Sequence, residues 1–362
     1  MRALLLQTRV GAVVQKRYFT AAFFYSIILY TKYGLYTIIY NLKILWRYKR
    51  DKPPRLRRGG RGVEASIQIN AYAKINLGLD VLRRREDGYH ELRMGMQTVS
   101  LCDTLTLTKK EDAGIVLRCD RAGLPTDRRN LAVRAAEALF TEAERRGVRP
   151  MGGVEIWLSK RIPAAAGLAG GSADAAAVLR GLNTLYGLGF SEEALQAVGL
   201  PLGADIPYCV TGGTALAEGI GERLTPLPAL PACCIVVAKP SFDLSAAYIY
   251  ANLRIDSVGA AGHPDMDGVI SALRRRDLRA LGQVMGNILE LPAKKEHPEI
   301  ERLKKSLREA GAEAASMSGS GSAVFGLFEN EEQAKRCAEQ LLSDKALALE
   351  GVYLTTPVYA PL

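Results

Sequence analysis

A run of small residues, PAAAGLAGGSADAAA from Pro163 to Ala177, holds the first chemical possibility in this chain. Glycine lets the backbone turn its N–H groups toward one point, and a helix start adds unpaired N–H groups and the positive end of the helix dipole. Here Gly167, Gly170 and Gly171 come before a helical segment that Ser172 is expected to cap. Such a turn can hold phosphate. Ala/Gly-rich turns also occur for close packing alone, and this stretch by itself leaves both readings open. Three other features stand apart from it: Lys74 near the first strand, a Gly-Ala-Asp ending at Asp205, and SGSGSA from Ser318 to Ala323. Taken singly they read as a surface lysine, a turn-capping aspartate and a flexible turn.

The elements that must position these residues follow from pattern. SIQINAYAKINLGLDVL, Ser66 to Leu82, alternates apolar and polar residues as a half-buried strand pair should. Asp87-Gly88 marks a hairpin turn, and LRMGMQTVSL and DTLTLTKK continue the sheet. Asn130 is expected to cap a helix ending at Gly147, and GVEIWLSK, Gly153 to Lys160, is a strand leading into the small-residue loop. A shorter helix begins near Ser191. Pro207, two residues after Asp205, places that aspartate at a turn or helix start. TPLPALP after Leu224 reads as a domain boundary, beyond which helices are expected at 245–253, 266–273, 298–310 and through EEQAKRCAEQLL. Strands are expected at CCIVVAK, on both sides of SGSGSA, and at VYLTTPV. This mixture says α+β in two lobes.

Composition narrows the partners. Net charge is +10, but residues 1–62 hold 14 Lys and Arg against Asp51 alone, so this front segment carries +13 and the other 300 residues carry −3. A nucleic-acid reading therefore fails for the body of the chain. Within the front segment the run from Tyr18 to Trp46 is apolar and aromatic, interrupted by Lys32, and followed by RYKRDKPPRLRRGGRG. It is a weak span or an interfacial helix, and membrane contact through residues 1–62 is the minor reading. The six cysteines form no CxxC and the three histidines do not cluster with them, which fits a reducing, cytoplasmic protein without a zinc site. The chain is expected to divide into 1–62, 63–225 and 226–362.

Two nucleotide-binding signatures are absent from the sequence, GxxxxGK[ST] and a strand-borne GxGxxG, as are the HRD and DFG elements of protein kinases. What is present resembles the GHMP small-molecule kinases, and within them the family that phosphorylates cytidylyl methylerythritol. The resemblance rests on AYAKINLGLDV, DGYHEL, PAAAGLAGGSADAA, GADIPYC, ALAEGIGE and SGSGSAVFG, in the family's order, from about Ala65 to the end. It implies a ribosomal-protein-S5-like N-terminal domain and a ferredoxin-like C-terminal one with the site between them. It also implies ATP and Mg²⁺ as cofactors, with no metal ligands assigned. The ATP loop would be Pro163, Ala164, Ala165, Ala166, Gly167, Leu168, Ala169, Gly170, Gly171, Ser172 and Ala173. The family's glycine-richest version has Gly at 165 and 169 and Ser at 173. Alanine is comfortable only at negative φ, so any left-handed turns are expected from Gly167, Gly170 and Gly171. By the same resemblance Asp205 accepts the proton of the substrate hydroxyl and Lys74 polarises that hydroxyl or the phosphoryl group. Tyr89 and His90 read the cytosine, and Asn76 and Ser245 contact substrate. The implied reaction is ATP-dependent phosphorylation of the 2-hydroxyl of 4-diphosphocytidyl-2-C-methyl-D-erythritol in non-mevalonate isoprenoid synthesis. The alternatives are a homoserine- or mevalonate-type GHMP kinase, or a membrane-associated binding protein with an inactive kinase fold.

Overall fold

The alternating stretch expected as a strand pair is one strand. β1 (Ser66–Arg84) pairs antiparallel along its whole length with β2 (His90–Lys110). Register shifts at Tyr72/Lys74, Asn76/Gly78 and Val81/Arg83 bend this ribbon without ending it, because each bulge adds twist while the ladder resumes beyond it. The hairpin between them closes with Arg85 N–H donating to the Tyr89 carbonyl, and Gly88 takes φ +86°. A computed structural model describes residues 65–148, 152–259 and 262–359. The basic front segment, with its expected membrane contact, lies outside the described residues.

β2 is the hub of the first lobe. Its first part pairs with β5 (Thr214–Gly219) and its last part with β4 (Gly153–Ser159), giving the order β3-β4-β2-β5-β6 with β1 also on β2. β3 (Ile115–Cys119) runs parallel to β4, and β6 (Arg223–Pro226) antiparallel to β5. The parallel pair is joined through α1 (Leu131–Arg145), whose first turn is capped by Asn130 accepting from Ala132 N–H. Ala132, Val133, Ala135, Ala136, Leu139 and Ala143 form its buried face, at the spacing of a helix lying on a sheet.

α2 (Gly170–Tyr186) runs through the middle of this lobe and is buried from Ala173 to Leu179 and at Gly181 and Leu182. Small residues permit that depth. A Cβ on Gly181 would stand 2.4 Å from Leu107 Cδ1, so the helix lies nearly against β2. α3 (Glu192–Gly199) and α4 (Ile206–Thr211) complete the helical layer, and Ser191 caps α3 through Ala194 N–H.

The second lobe has β7 (Cys234–Pro240), β8 (Ala314–Met317), β9 (Val324–Phe328) and β10 (Leu349–Thr355), all antiparallel, in the order β10-β7-β9-β8. Between β7 and β8 come α5 (Ala246–Asn252), α6 (Met266–Arg275), α7 (Leu278–Val284), α8 (Glu290–Glu296) and α9 (Glu299–Glu309), and between β9 and β10 comes α10 (Glu331–Ser343). With the helices on the connections, the last strand sits beside the first, which is the ferredoxin-like arrangement. The lobes are stitched by backbone. Leu79 N–H donates to Gly286, Ile288 N–H donates back to Leu79, and the tail after β10 pairs with β2 through Ser100 N–H to Thr356 and Val358 N–H to Thr98.

Candidate functional site

The small-residue loop leaves β4, crosses the mouth of the cleft between the lobes and becomes α2. Ala165 has φ +46°, Gly167 +72° and Ala169 +57°, while Gly170 and Gly171 are already the first helical residues. The expected distribution of left-handed residues is therefore corrected. Two alanines occupy the positions where glycine would be unstrained, each at a cost of about 1 kcal/mol. Ser172 is also displaced from its expected place. The helix starts at Gly170 with Ala169 as its cap and no capping side chain, so Ser172 lies in the first turn. The N–H groups of Gly170, Gly171 and Ser172 have no acceptor among the described residues, and the first turn has no acidic side chain. The helix thus presents donors and a positive dipole end to the cleft.

The second lobe braces this loop from behind. A Cβ on Gly167 would stand 1.9 Å from the Ser318 carbonyl oxygen, so only glycine allows the two turns to touch. Ser318 Oγ donates to the Gly167 carbonyl at 3.0 Å, Ser322 N–H to Ala165 at 3.3 Å, and Ala323 N–H to Ala166 at 3.2 Å. Buried Asn287 holds the other side of the glycine-serine turn by donating to the carbonyls of Met317 and Gly319.

Lys74 and Asn76 are two apart on β1 and so share a face. Both are buried, and Lys74 Nζ donates to Asn76 Oδ1 at 2.6 Å. A Cβ on Gly319 would lie 3.1 Å from that ammonium, and Lys74 N–H donates to the Leu168 carbonyl. The lysine therefore sits where β1, the small-residue loop and the glycine-serine turn meet. Asn76 backs Lys74 and does not line the cleft. Asp205 begins α4 but makes no capping bond, so its carboxylate is not consumed by the helix it starts. Lys74, Asp205, Ser172 and the loop from Pro163 to Gly171 all line one chamber of about 610 Å³; Ala173 is buried below it.

A second chamber, of about 1140 Å³, shares Leu92, Ala204, Ile220 and Tyr250 with the first. Tyr89 and His90 line it, at the hairpin where β2 begins. His90 stacks on Tyr250 with ring centroids 5.0 Å apart and planes 27° from parallel. Burial, then the nearby Arg84, hold the imidazole below its ordinary pKa, which favours the neutral ring that can both donate and accept. Tyr250 went unrecognised in the sequence because IYAN has the look of an ordinary helix interior. Burial pushes its phenol up, with the Asp205 charge adding to the shift, and Tyr250 lines both chambers. Ser245 is not brought to either chamber. It caps α5 by accepting from Tyr248 N–H, while its neighbours Ala246 and Ala247 face the cleft.

Sequence reasoning also missed a buried ionic group under the loop. Lys160 Nζ pairs with Asp103 and, at 2.7 Å, with Asp174 Oδ2. Lys160 and Asp174 line the first chamber. Burial works against the Lys160 charge, but Asp174 and Asp103 outweigh it and raise its pKa. Asp174 is pushed up to about 8, by burial first, with Lys160 opposing and Asp103 adding.

Comparison with known proteins shows the family and the fold. Residues 130–213 match the family model described as GHMP kinases N terminal domain, and residues 269–346 the one described as GHMP kinases C terminal. A 4-diphosphocytidyl-2-C-methyl-D-erythritol kinase from Geobacillus sp. (strain WCH70) is 45% identical over 271 residues, covering 75% of this chain and 91% of that protein. The same-named protein of Lachnospira eligens is 43% identical, covering 82% of this chain and 99% of that one. Among solved structures, a 4-(cytidine 5'-diphospho)-2C-methyl-D-erythritol kinase aligns with a TM-score of 0.68 and 37% identity, over 81% of this chain and all of that one. A homoserine kinase from Cytophaga hutchinsonii has a TM-score of 0.67 at 20% identity, over 83% of this chain and 98% of that one, and shares the fold. The chain belongs to the 4-diphosphocytidyl-2-C-methyl-D-erythritol kinase family of the GHMP kinases.

Proposed function

We propose that this chain transfers the terminal phosphoryl group of ATP to the 2-hydroxyl of 4-diphosphocytidyl-2-C-methyl-D-erythritol, a step of non-mevalonate isoprenoid synthesis. The observation that carries the reading is the two-chamber cleft, in which a phosphate-binding loop shares one chamber with Lys74 and Asp205 and an aromatic pair lines the adjoining one. Phosphoryl transfer asks for positioning and charge neutralisation more than for covalent chemistry. The loop N–H groups receive the triphosphate, Asp205 accepts the hydroxyl proton, and Lys74, held by Asn76, neutralises charge at the transferring group. Tyr89, His90 and Tyr250 offer a stacking surface and hydrogen-bonding groups for the cytosine.

Mg²⁺ fits as a passenger of the nucleotide. Among the described residues no three His, Cys, Asp or Glu side chains converge into a cation cage, and Asp174 is already paired with Lys160. Mg²⁺ keeps several waters and commonly takes one or two protein oxygens plus substrate phosphates, and Ser172 and Asp205, both lining the loop's chamber, are side-chain oxygens that would serve. When bound, it would neutralise phosphate charge. Among the described residues no helix is long and apolar enough to cross a membrane. The test is turnover of the cytidylyl substrate with ATP, against homoserine and mevalonate, on the full chain and on a chain lacking residues 1–62. A homoserine- or mevalonate-specific enzyme would refute the substrate assignment. Loss of all activity on truncation would point to the front segment as the working part.

A further inference from the structure

We propose that Lys160, held between Asp103 and Asp174, is a positioning residue that clamps both ends of the small-residue loop and thereby sets the affinity for the triphosphate donor; the proposal rests on the donor reading of that loop. β4 ends at Ser159, so Lys160 and Arg161 are where the chain leaves the sheet. Asp103, on β2, accepts from the backbone N–H of Arg161 and, at 2.8 Å, of Ile162, and gives its other oxygen to Lys160. Asp174 lies in the second turn of α2, on the far side of the loop, and takes the same ammonium at 2.7 Å. One cation therefore ties together the central strand, the loop's entry and the helix at its exit. It also lies against the start of that helix: a Cβ on Gly170 would be 3.5 Å from Lys160 Nζ.

Burial and charge argue that this is a clamp and not an attractor. The Lys160 side chain is 7% exposed, Asp103 0% and Asp174 4%, so the ammonium is held between two carboxylates that already offset its charge and is not a free counter-charge for a nucleotide. Two ionised carboxylates at a triphosphate site would repel it. Burial favours a proton on Asp174, whose Oδ1 has no partner among the described residues, while Asp103 accepts at both oxygens. The group is then electrically neutral, and its contribution to binding is geometric.

The test uses the full chain and binding of Mg²⁺ with a non-hydrolysable ATP analogue, measured by calorimetry, alongside KM for both substrates and thermal unfolding. Lys160→Met and Asp174→Ala are expected to weaken analogue binding by about tenfold or more, with KM for the acceptor within about twofold of wild type, as displacement of a supporting group does. Asp174→Asn keeps an uncharged oxygen for Lys160 and is expected to bind the analogue within about threefold of wild type. A folded Lys160→Met that binds as tightly as wild type overturns the proposal. So does equal loss toward donor and acceptor, or an Asp174→Asn as damaged as Asp174→Ala. If Lys160→Met does not fold, the Asp174 pair decides. Wild-type protein that binds the analogue but leaves the cytidylyl substrate untouched refutes the substrate assignment without touching the clamp. Wild-type protein that does not bind the analogue refutes the donor reading and the clamp together.

Discussion

Replacing Gly167 by alanine isolates the contact on which the cleft's phosphate end depends. The new methyl would be placed 1.9 Å from the Ser318 carbonyl oxygen, 2.9 Å from its carbon and 3.0 Å from Gly321 N. All three are backbone atoms, so no side chain can rotate away, and the turns must separate by roughly 1 Å or more to reach ordinary contact. Such a shift breaks the bonds from Ser318 Oγ, Ser322 N–H and Ala323 N–H to the loop carbonyls. At about 1 kcal/mol each, plus about 1 kcal/mol for alanine at φ +72°, the docked loop loses roughly 4 kcal/mol. Gly187 supplies the control. It has φ +62° and nothing within 4 Å of an added Cβ, so Gly187→Ala carries the left-handed cost alone, about 1 kcal/mol. The difference of about 3 kcal/mol corresponds to roughly a hundredfold in an equilibrium constant. Denaturant unfolding and ATP-analogue binding on both variants should show Gly167→Ala with analogue affinity down about a hundredfold and Gly187→Ala with it nearly intact. Equal behaviour of the two, with donor affinity retained, would refute the claim that the second lobe braces the loop.

Two further outcomes follow from the same geometry. With its folded pKa near 8 against an ordinary 3.8, Asp174 holds a proton in the folded chain that the unfolded chain has released, so it makes stability fall as pH rises between those values. Asp174→Asn should flatten that fall, gaining relative to wild type by on the order of 1 kcal/mol per pH unit across the window; parallel stability curves from pH 5 to 8 would contradict it. Tyr250→Ala removes the ring on which His90 stacks, and a lost stacking platform of about 1–3 kcal/mol should raise KM for the cytidylyl acceptor roughly tenfold to a hundredfold, with KM for ATP changed far less. A larger effect on ATP than on the acceptor would show that Tyr250 serves the other chamber.

What could be read from the sequence was local or carried by a resemblance. The Asp87-Gly88 hairpin, the Asn130 cap and the start of α4 after Asp205 are set by a few neighbouring residues and came through intact. The left-handed alanines did not, because intrinsic preference said glycine while packing against the Ser318 turn imposes the loop's path. Nor did the length of β1, since three bulges interrupt the alternation without ending the strand. The Lys160 group is formed by side chains 57 and 14 residues from the lysine, and the His90–Tyr250 stack joins the two lobes, so neither leaves a spacing to detect. Ser245 shows the reverse: its hydroxyl looked available in sequence and is used to start a helix.

The most direct measurement is phosphorylation of purified 4-diphosphocytidyl-2-C-methyl-D-erythritol by the full chain with ATP and Mg²⁺, followed by ³¹P NMR of the product and repeated with Asp205→Asn. The expected result is a new phosphate monoester on the 2-hydroxyl, with the variant slowed by about 10²–10⁴-fold at unchanged Tm, the loss a positioned general base should cause. Full activity in Asp205→Asn, or no ester formed by the wild-type chain, would contradict the assignment.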